Sequence, residues 1–116
     1  MQKKQGPLKA EKGDTVSVEY VGFFTNGEIF DTNILDVAKQ HRLYNPRQDY
    51  APLTFRLGEG KLIKGFEEAV IGMEVGEKKR VTIPPELAYG KTGSHPLAGK
   101  TLIFDILVVD LQKRKK

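Results

Sequence analysis

From Thr15 to Phe24 apolar and polar residues alternate: Val16, Val18, Tyr20 and Phe24 fall on one side, Thr15, Ser17 and Glu19 on the other. A period of two is the mark of a half-buried strand. Asn26-Gly27 follows, the dipeptide that fits the positive-φ positions of a hairpin turn. Glu28 to Asp31 reads as the short return strand. Leu53 to Leu57 and Glu77 to Ile83 give two further strands. The second is stopped by Pro84-Pro85, because proline cannot donate to a ladder. Thr101 to Gln112 is apolar on both sides, with Leu102, Phe104, Ile106 and Val108 on one and Ile103, Leu107, Val109 and Leu111 on the other. A strand covered on both faces belongs in the middle of a sheet.

The helical period is clearest between Gly58 and Met73, where Leu62, Ile63, Phe66, Ala69, Val70 and Met73 share a face. Lys61, Lys64, Glu67 and Glu68 are assigned to the solvent side, and Gly58, Gly60, Gly72 and Gly76 punctuate both ends. This predicts a short central helix of roughly three turns. A second, shorter helix is predicted over Ile34 to His41, with Asn33 and Asp36 as a loose capping box. Asp31 is an alternative cap for it. Arg42 to Pro52 and Glu86 to Lys100 read as loops. The expected architecture is α+β: a five-stranded antiparallel sheet curled around one short central helix, with an extra short helix in the 33–42 insertion. We expect a single domain over residues 1–116, with mobile tails at 1–6 and 113–116.

The bulk numbers narrow the classes. The chain has 116 residues, 39% apolar and 29% charged, enough for one packed core. It has no cysteine, which removes disulfides and thiolate metal sites. No apolar run approaches a membrane span and no signal-peptide core opens the chain, so the expectation is a cytoplasmic protein without membrane contact. The net charge of +4 is weighted toward the ends, as in Lys113-Arg114-Lys115-Lys116. No aromatic residues interleave that run, so it reads as a solvated tail and nucleic acid is not an expected partner. His41 and His95 stand apart from any carboxylate cluster, so neither a metal nor another cofactor is expected. Ser17 and Ser94 lack an elbow motif, and Gly58, Gly60 and Gly65 miss the dinucleotide spacing.

Residue types alone point to an α+β domain with an aromatic-rich interior. Tyr20, Phe30, Phe66, Tyr89 and Phe104 come from separate segments, and Asp31 sits beside Phe30. For any one of these rings, simple core packing is the better reading.

Five ordered segments carry more. They are Val18-Glu19-Tyr20-Val21-Gly22, Gly27-Glu28-Ile29-Phe30-Asp31, Leu62-Ile63-Lys64-Gly65-Phe66-Glu67-Glu68-Ala69, Ile83-Pro84-Pro85-Glu86-Leu87-Ala88-Tyr89-Gly90 and Leu102-Ile103-Phe104-Asp105. Together they resemble the FKBP-type peptidyl-prolyl isomerases, over about Gly13 to Leu111. The resemblance implies a proline-accepting pocket between helix and sheet. Phe66 stands where the family usually has a Trp at the floor. Tyr20, Phe30, Leu62, Ile63 and Phe104 line the walls, with Leu53 at a position that is often aromatic. Asp31 and Tyr89 are the polar groups at the mouth and the implied catalytic residues. His95 and Leu97 are implied as further substrate contacts, and the Ile63 N–H as a donor to a substrate carbonyl.

The length of Asn33 to Pro52 and the ending Pro96-Leu97-Ala98-Gly99-Lys100-Thr101-Leu102 resemble the archaeal, SlyD-related branch. The chaperone domain usually inserted in that branch is missing, since only Lys91 to Pro96 fills its place. The resemblance therefore implies a monomeric prolyl isomerase acting on proline-containing peptides and unfolded chains. Phe66 and Leu53 imply weaker binding of macrolide inhibitors. The competing expectation is a peptide-binding chaperone or adaptor with little turnover.

Overall fold

The computed structural model describes residues 8–115. The expected mobile segment at residues 1–6 lies outside them, as does residue 116. Five strands, β1 (Thr15–Phe23), β2 (Ile29–Thr32), β3 (Leu53–Arg56), β4 (Lys78–Ile83) and β5 (Leu102–Gln112), form one antiparallel sheet. Its order is β2-β1-β5-β4, and β3 also pairs with β1. Among the described residues two α-helices accompany it, α1 (Leu35–Gln40) and α2 (Lys64–Val70), with a single 3-10 turn at Pro85–Leu87. The α+β architecture expected from periodicity is the one observed.

Strand β5 lies between β1 and β4, as its two apolar faces require. It runs against β1 from Thr15↔Gln112 to Phe23↔Ile103, with a register shift between Ser17 and Val18. Leu102, Phe104, Ile106 and Val108 are buried on one face, while Ile103, Leu107 and Val109 are only half-buried on the other. Val16 and Val18 of β1, Phe55 of β3, Ile83 of β4, Phe66, Ala69 and Val70 of α2, and Ala10, Leu57 and Met73 complete the core. Burying each of the larger side chains contributes about 1.5–3 kcal/mol. At Gly65 a Cβ would stand 2.5 Å from the Ile83 Cγ2, so the missing side chain lets α2 lie close against β4.

The central helix is shorter than its apolar stripe. Leu62 and Ile63 precede α2, with Ile63 at the cap position, and Ile71 beyond it is extended. Glu67 corrects the sequence reading more deeply. The helical period places it on the solvent face, yet it is 7% exposed. Its carboxylate accepts the N–H groups of Gly58 at 2.9 Å and Leu62 at 3.1 Å, which satisfies the charge inside.

Asn33 is likewise not a helix cap. The cap position is Ile34, with no side-chain cap bond, and Thr32 Oγ1 accepts the Ile34 N–H instead. The Asn33 amide faces the sheet. Its Oδ1 accepts the Tyr20 N–H and its Nδ2 donates to the Val18 and Ala51 carbonyls. The reason lies in the strand pairing: β1 is paired along one edge with β3 through Val18 and with β2 from Val21 onward. Glu19 and Tyr20 fall in the gap between these partners, and a side-chain amide fills it.

Lys113 and Arg114, assigned to a loose tail, are tied to the body of the fold. The Asp14 carboxylate, fully buried, accepts the Lys113 ammonium at 2.6 Å and the N–H groups of Arg114 and Glu11 at 2.8 and 2.9 Å. Burial pushes the Asp14 pKa upward, but these donors outweigh it and hold the carboxyl below its ordinary value. No helix among the described residues is long and apolar enough to cross a membrane.

Candidate functional site

Between the start of α2 and the concave face of the sheet lies an open cleft of about 330 Å³. It is lined by Tyr20, Phe30, Asp31, Leu53, Leu62, Ile63, Phe66, Tyr89 and Phe104, together with Gly60 and Lys61. Nine of the eleven residues expected from sequence therefore meet there.

The rings pack edge to face, which is how aromatic quadrupoles attract. The Phe66 centroid is 5.2 Å from that of Phe104 and 6.0 Å from that of Tyr20, at 83° and 88°. Phe30 meets Phe104 at 5.7 Å and stacks on Phe24 at 4.8 Å. The strand period brings Tyr20 and Phe104 onto the same side of adjacent strands, since Gly22 pairs with Phe104 and lies two residues from Tyr20. Gly22 makes room for both neighbours: a Cβ there would stand 2.8 Å from Phe30 Cζ and 3.0 Å from Phe104 Cε1.

Tyr20 is held by three consecutive residues. Its hydroxyl donates to Asp31 Oδ2 at 2.9 Å, its carbonyl accepts from Thr32 Oγ1 at 2.6 Å, and its N–H donates to Asn33 Oδ1 at 2.9 Å. Asp31 thus serves Tyr20, while helix α1 is entered through Thr32. Burial, and after it the negative Asp31 carboxylate, push the Tyr20 hydroxyl well above the ordinary phenol value of 10.0. At neutral pH it is a fixed, protonated donor.

Opposite, Ile63 offers a free N–H: it donates to no protein acceptor among the described residues, whereas its carbonyl accepts from Phe66 and Glu67. At the rim, the Tyr89 ring stacks on the His95 ring at 4.0 Å and 9°. His95 and Leu97 do not line the cleft. His95 Nδ1 accepts the Leu97 N–H, and Leu97 packs against the core. His95 meets the site only through the Tyr89 ring, and Leu97 is turned toward the apolar core instead.

Gly60, Lys61, Thr32, Asn33 and Glu67 are the residues of this neighbourhood that sequence reasoning missed. For Glu67 a signal existed: it stands four residues after Ile63 and three before Val70, inside the apolar stripe. Among the described residues no group of three or more His, Cys, Asp or Glu side chains is placed to hold a metal ion.

Comparison with known proteins agrees with this geometry. The family model for FKBP-type peptidyl-prolyl cis-trans isomerase matches residues 6–109. The chain is 55% identical over 80 residues to the short-type peptidyl-prolyl cis-trans isomerase of Methanocaldococcus jannaschii, covering 69% of this chain and 50% of that protein. It is 37% identical over 117 residues to FK506-binding protein 1A of Neurospora crassa, covering 99% and 87%. The crystal structure of FkpA from Escherichia coli superposes with a TM-score of 0.69 at 31% identity, over 95% of this chain and 45% of that one. The chain thus spans half the length of the archaeal relative and less than half of FkpA. The family match over nearly the whole sequence, and the ring-lined cleft that its motifs build, show that the chain belongs to the FKBP-type peptidyl-prolyl cis-trans isomerases.

Proposed function

We propose that this cleft binds the proline of an exposed X–Pro segment and accelerates rotation about its peptide bond without covalent chemistry. The observation that carries the reading is the open cleft walled by Tyr20, Phe30, Phe66 and Phe104. At about 330 Å³ it falls at the small end of the range for ligand pockets, which suits one proline ring with its flanking peptide groups.

The physics follows from the bond. Resonance keeps the amide planar, with a rotation barrier of about 20 kcal/mol, so free X–Pro bonds exchange slowly. Resonance also separates charge between oxygen and nitrogen, and water favours that polar planar form. The twisted transition state has lost resonance and is less polar. Removing the bond from water into a ring-lined cleft therefore disfavours the ground state more than the transition state, and such a difference raises the rate. A thousandfold acceleration needs only about 4 kcal/mol.

Each group has a task. The four rings hold proline and exclude water. The Ile63 N–H and the Tyr89 hydroxyl donate to the carbonyls beside proline and keep the chain still on one side of the rotating bond. Asp31 fixes the Tyr20 wall. The substrates are proline-containing peptides and unfolded chains, and the protein acts as a monomer. Macrolides compete for the same cleft, with affinity lowered by Phe66 and Leu53.

A protease-free peptide assay and a proline-limited refolding reaction test the reading. The slow phase should accelerate in proportion to added protein, and a macrolide should suppress the effect. A slow phase left unchanged by a stoichiometric amount of folded protein overturns it.

A further inference from the structure

We propose that Glu67 is a positioning residue for the proline cleft, acting through the loop from Gly58 to Leu62; this rests on the isomerase reading above. The loop supplies Gly60, Lys61 and Leu62 to the cleft and leads directly into Ile63. Behind it lies a second cleft of about 390 Å³, lined by Lys12, Gly58, Gly60, Leu62, Lys64, Glu67, Glu68 and Ile71. Gly60 and Leu62 line both. The loop is thus a partition with space on either side, and close packing against a core holds it only at Leu62.

Hydrogen bonding has to supply what packing does not. Among the described residues the backbone of residues 58–62 makes no bond to other backbone outside regular elements. Its two N–H bonds to side chains both end on Glu67: Gly58 to Oε1 at 2.9 Å and Leu62 to Oε2 at 3.1 Å. One carboxylate, in the first turn of α2 and next to the floor residue Phe66, therefore grips the loop at its two ends. The exposed Arg56–Glu59 pair at 3.9 Å adds little. Hydrogen bonds to a charged acceptor are stronger than those of a neutral pair. Glu67 is 7% exposed, so water does not compete freely for it.

The mechanistic consequence concerns substrate binding. Ile63 adjoins Leu62, so the fixed end of the loop sets where the Ile63 N–H and the Leu62 side chain stand. Without Glu67 the wall is in place only part of the time, and bound peptide must restore it. Apparent affinity then falls by the fraction of time the wall is formed, while turnover of the bound complex is kept.

The test uses the full chain with two substitutions and two readouts. Hydrogen exchange of the Gly58 and Leu62 amides is followed without substrate, and KM and kcat are measured with a proline-containing tetrapeptide. In Glu67→Ala both amides should exchange at least tenfold faster, and KM should rise about tenfold with kcat within twofold, as for a wall formed a tenth of the time. Glu67→Gln keeps one acceptor oxygen, so it should speed exchange at one of the two amides and raise KM about threefold. It also stands in if the alanine variant does not fold. A merely structural residue would instead lower the active fraction, reducing apparent kcat at unchanged KM. That outcome, or fast amides with KM unchanged, overturns the positioning role while the isomerase reading stands. A parent chain without isomerase activity overturns the isomerase reading, and the positioning role falls with it.

Discussion

Phe66, Tyr20 and Phe104 reach the cleft from α2, β1 and β5, whereas Tyr89 reaches it from the connection between β4 and β5 and leans on His95. Phe66 and Phe104 are 4% and 6% exposed, against 37% for Tyr89. The floor is core that happens to be open on one side. Its rings cannot shift without disturbing strand pairs and one another, so the apolar medium is preorganised. The rim is a stacked pair of rings on an irregular loop, held by the Leu97 N–H to His95 Nδ1 bond and by backbone bonds such as Gly99 N–H to the Gly90 carbonyl, with Tyr89 outside the packed core. The two regions thus differ in what fixes them: mutual packing at the floor, a ring stack on a loop at the rim.

The contrast is open to attack, beginning where the expected effect is largest. Phe66→Ala removes a ring that meets Tyr20, Phe55 and Phe104, and should cost about 3–5 kcal/mol in denaturant unfolding. A loss under about 1 kcal/mol would mean that the floor rings are not one packed unit. Asp31→Ala releases the Tyr20 hydroxyl and should lower kcat/KM about tenfold, near 1.4 kcal/mol of barrier, with the fold intact by thermal melting. Unchanged activity there and in Tyr89→Phe together would remove both residues from the site.

The pH profile sharpens the floor further. The Tyr20 pKa is raised, so its neutral form is favoured in the folded state and its contribution to stability is complete below the ordinary value of 10.0. That contribution is lost only as the pH climbs through the higher folded value. Tyr20 should therefore impose no change on kcat/KM between about pH 6 and 9. A decline in that window that disappears in Tyr20→Phe would contradict the burial and the Asp31 bond. At the rim, His95→Ala should change kcat/KM by about twofold or less, since an exposed ring stack contributes about 0.5 kcal/mol. A tenfold loss there would make the rim as constrained as the floor.

What the sequence could show follows from the reach of its signals. Val16 and Val18 on one side of β1, and the two apolar faces of β5, are local patterns with a fixed period, so both strands and the central place of β5 were legible. Family motifs placed the ring residues and Asp31. The misreadings share one cause. Asn33 was read by its chain neighbours, yet its partners Val18 and Tyr20 lie 15 and 13 residues away. Glu67 was read by charge, yet Gly58 and Leu62 approach it from outside the helix. Lys113 was read by its basic run, yet Asp14 is 99 residues distant. In each case a polar side chain finds backbone or charge that only the closed fold brings near.

The amide of Asn33 has one more consequence. Because a side chain rather than a strand completes that stretch of β1, the chain leaves the sheet at Thr32 and rejoins it at Leu53 with no ladder bond spanning the interval. The excursion between those points, α1 and the stacked Tyr44–Tyr50 pair included, hangs from a sealed seam. A change in the length of that excursion would reach the cleft through Leu53, the residue at which the chain rejoins β1 and which itself lines the cleft.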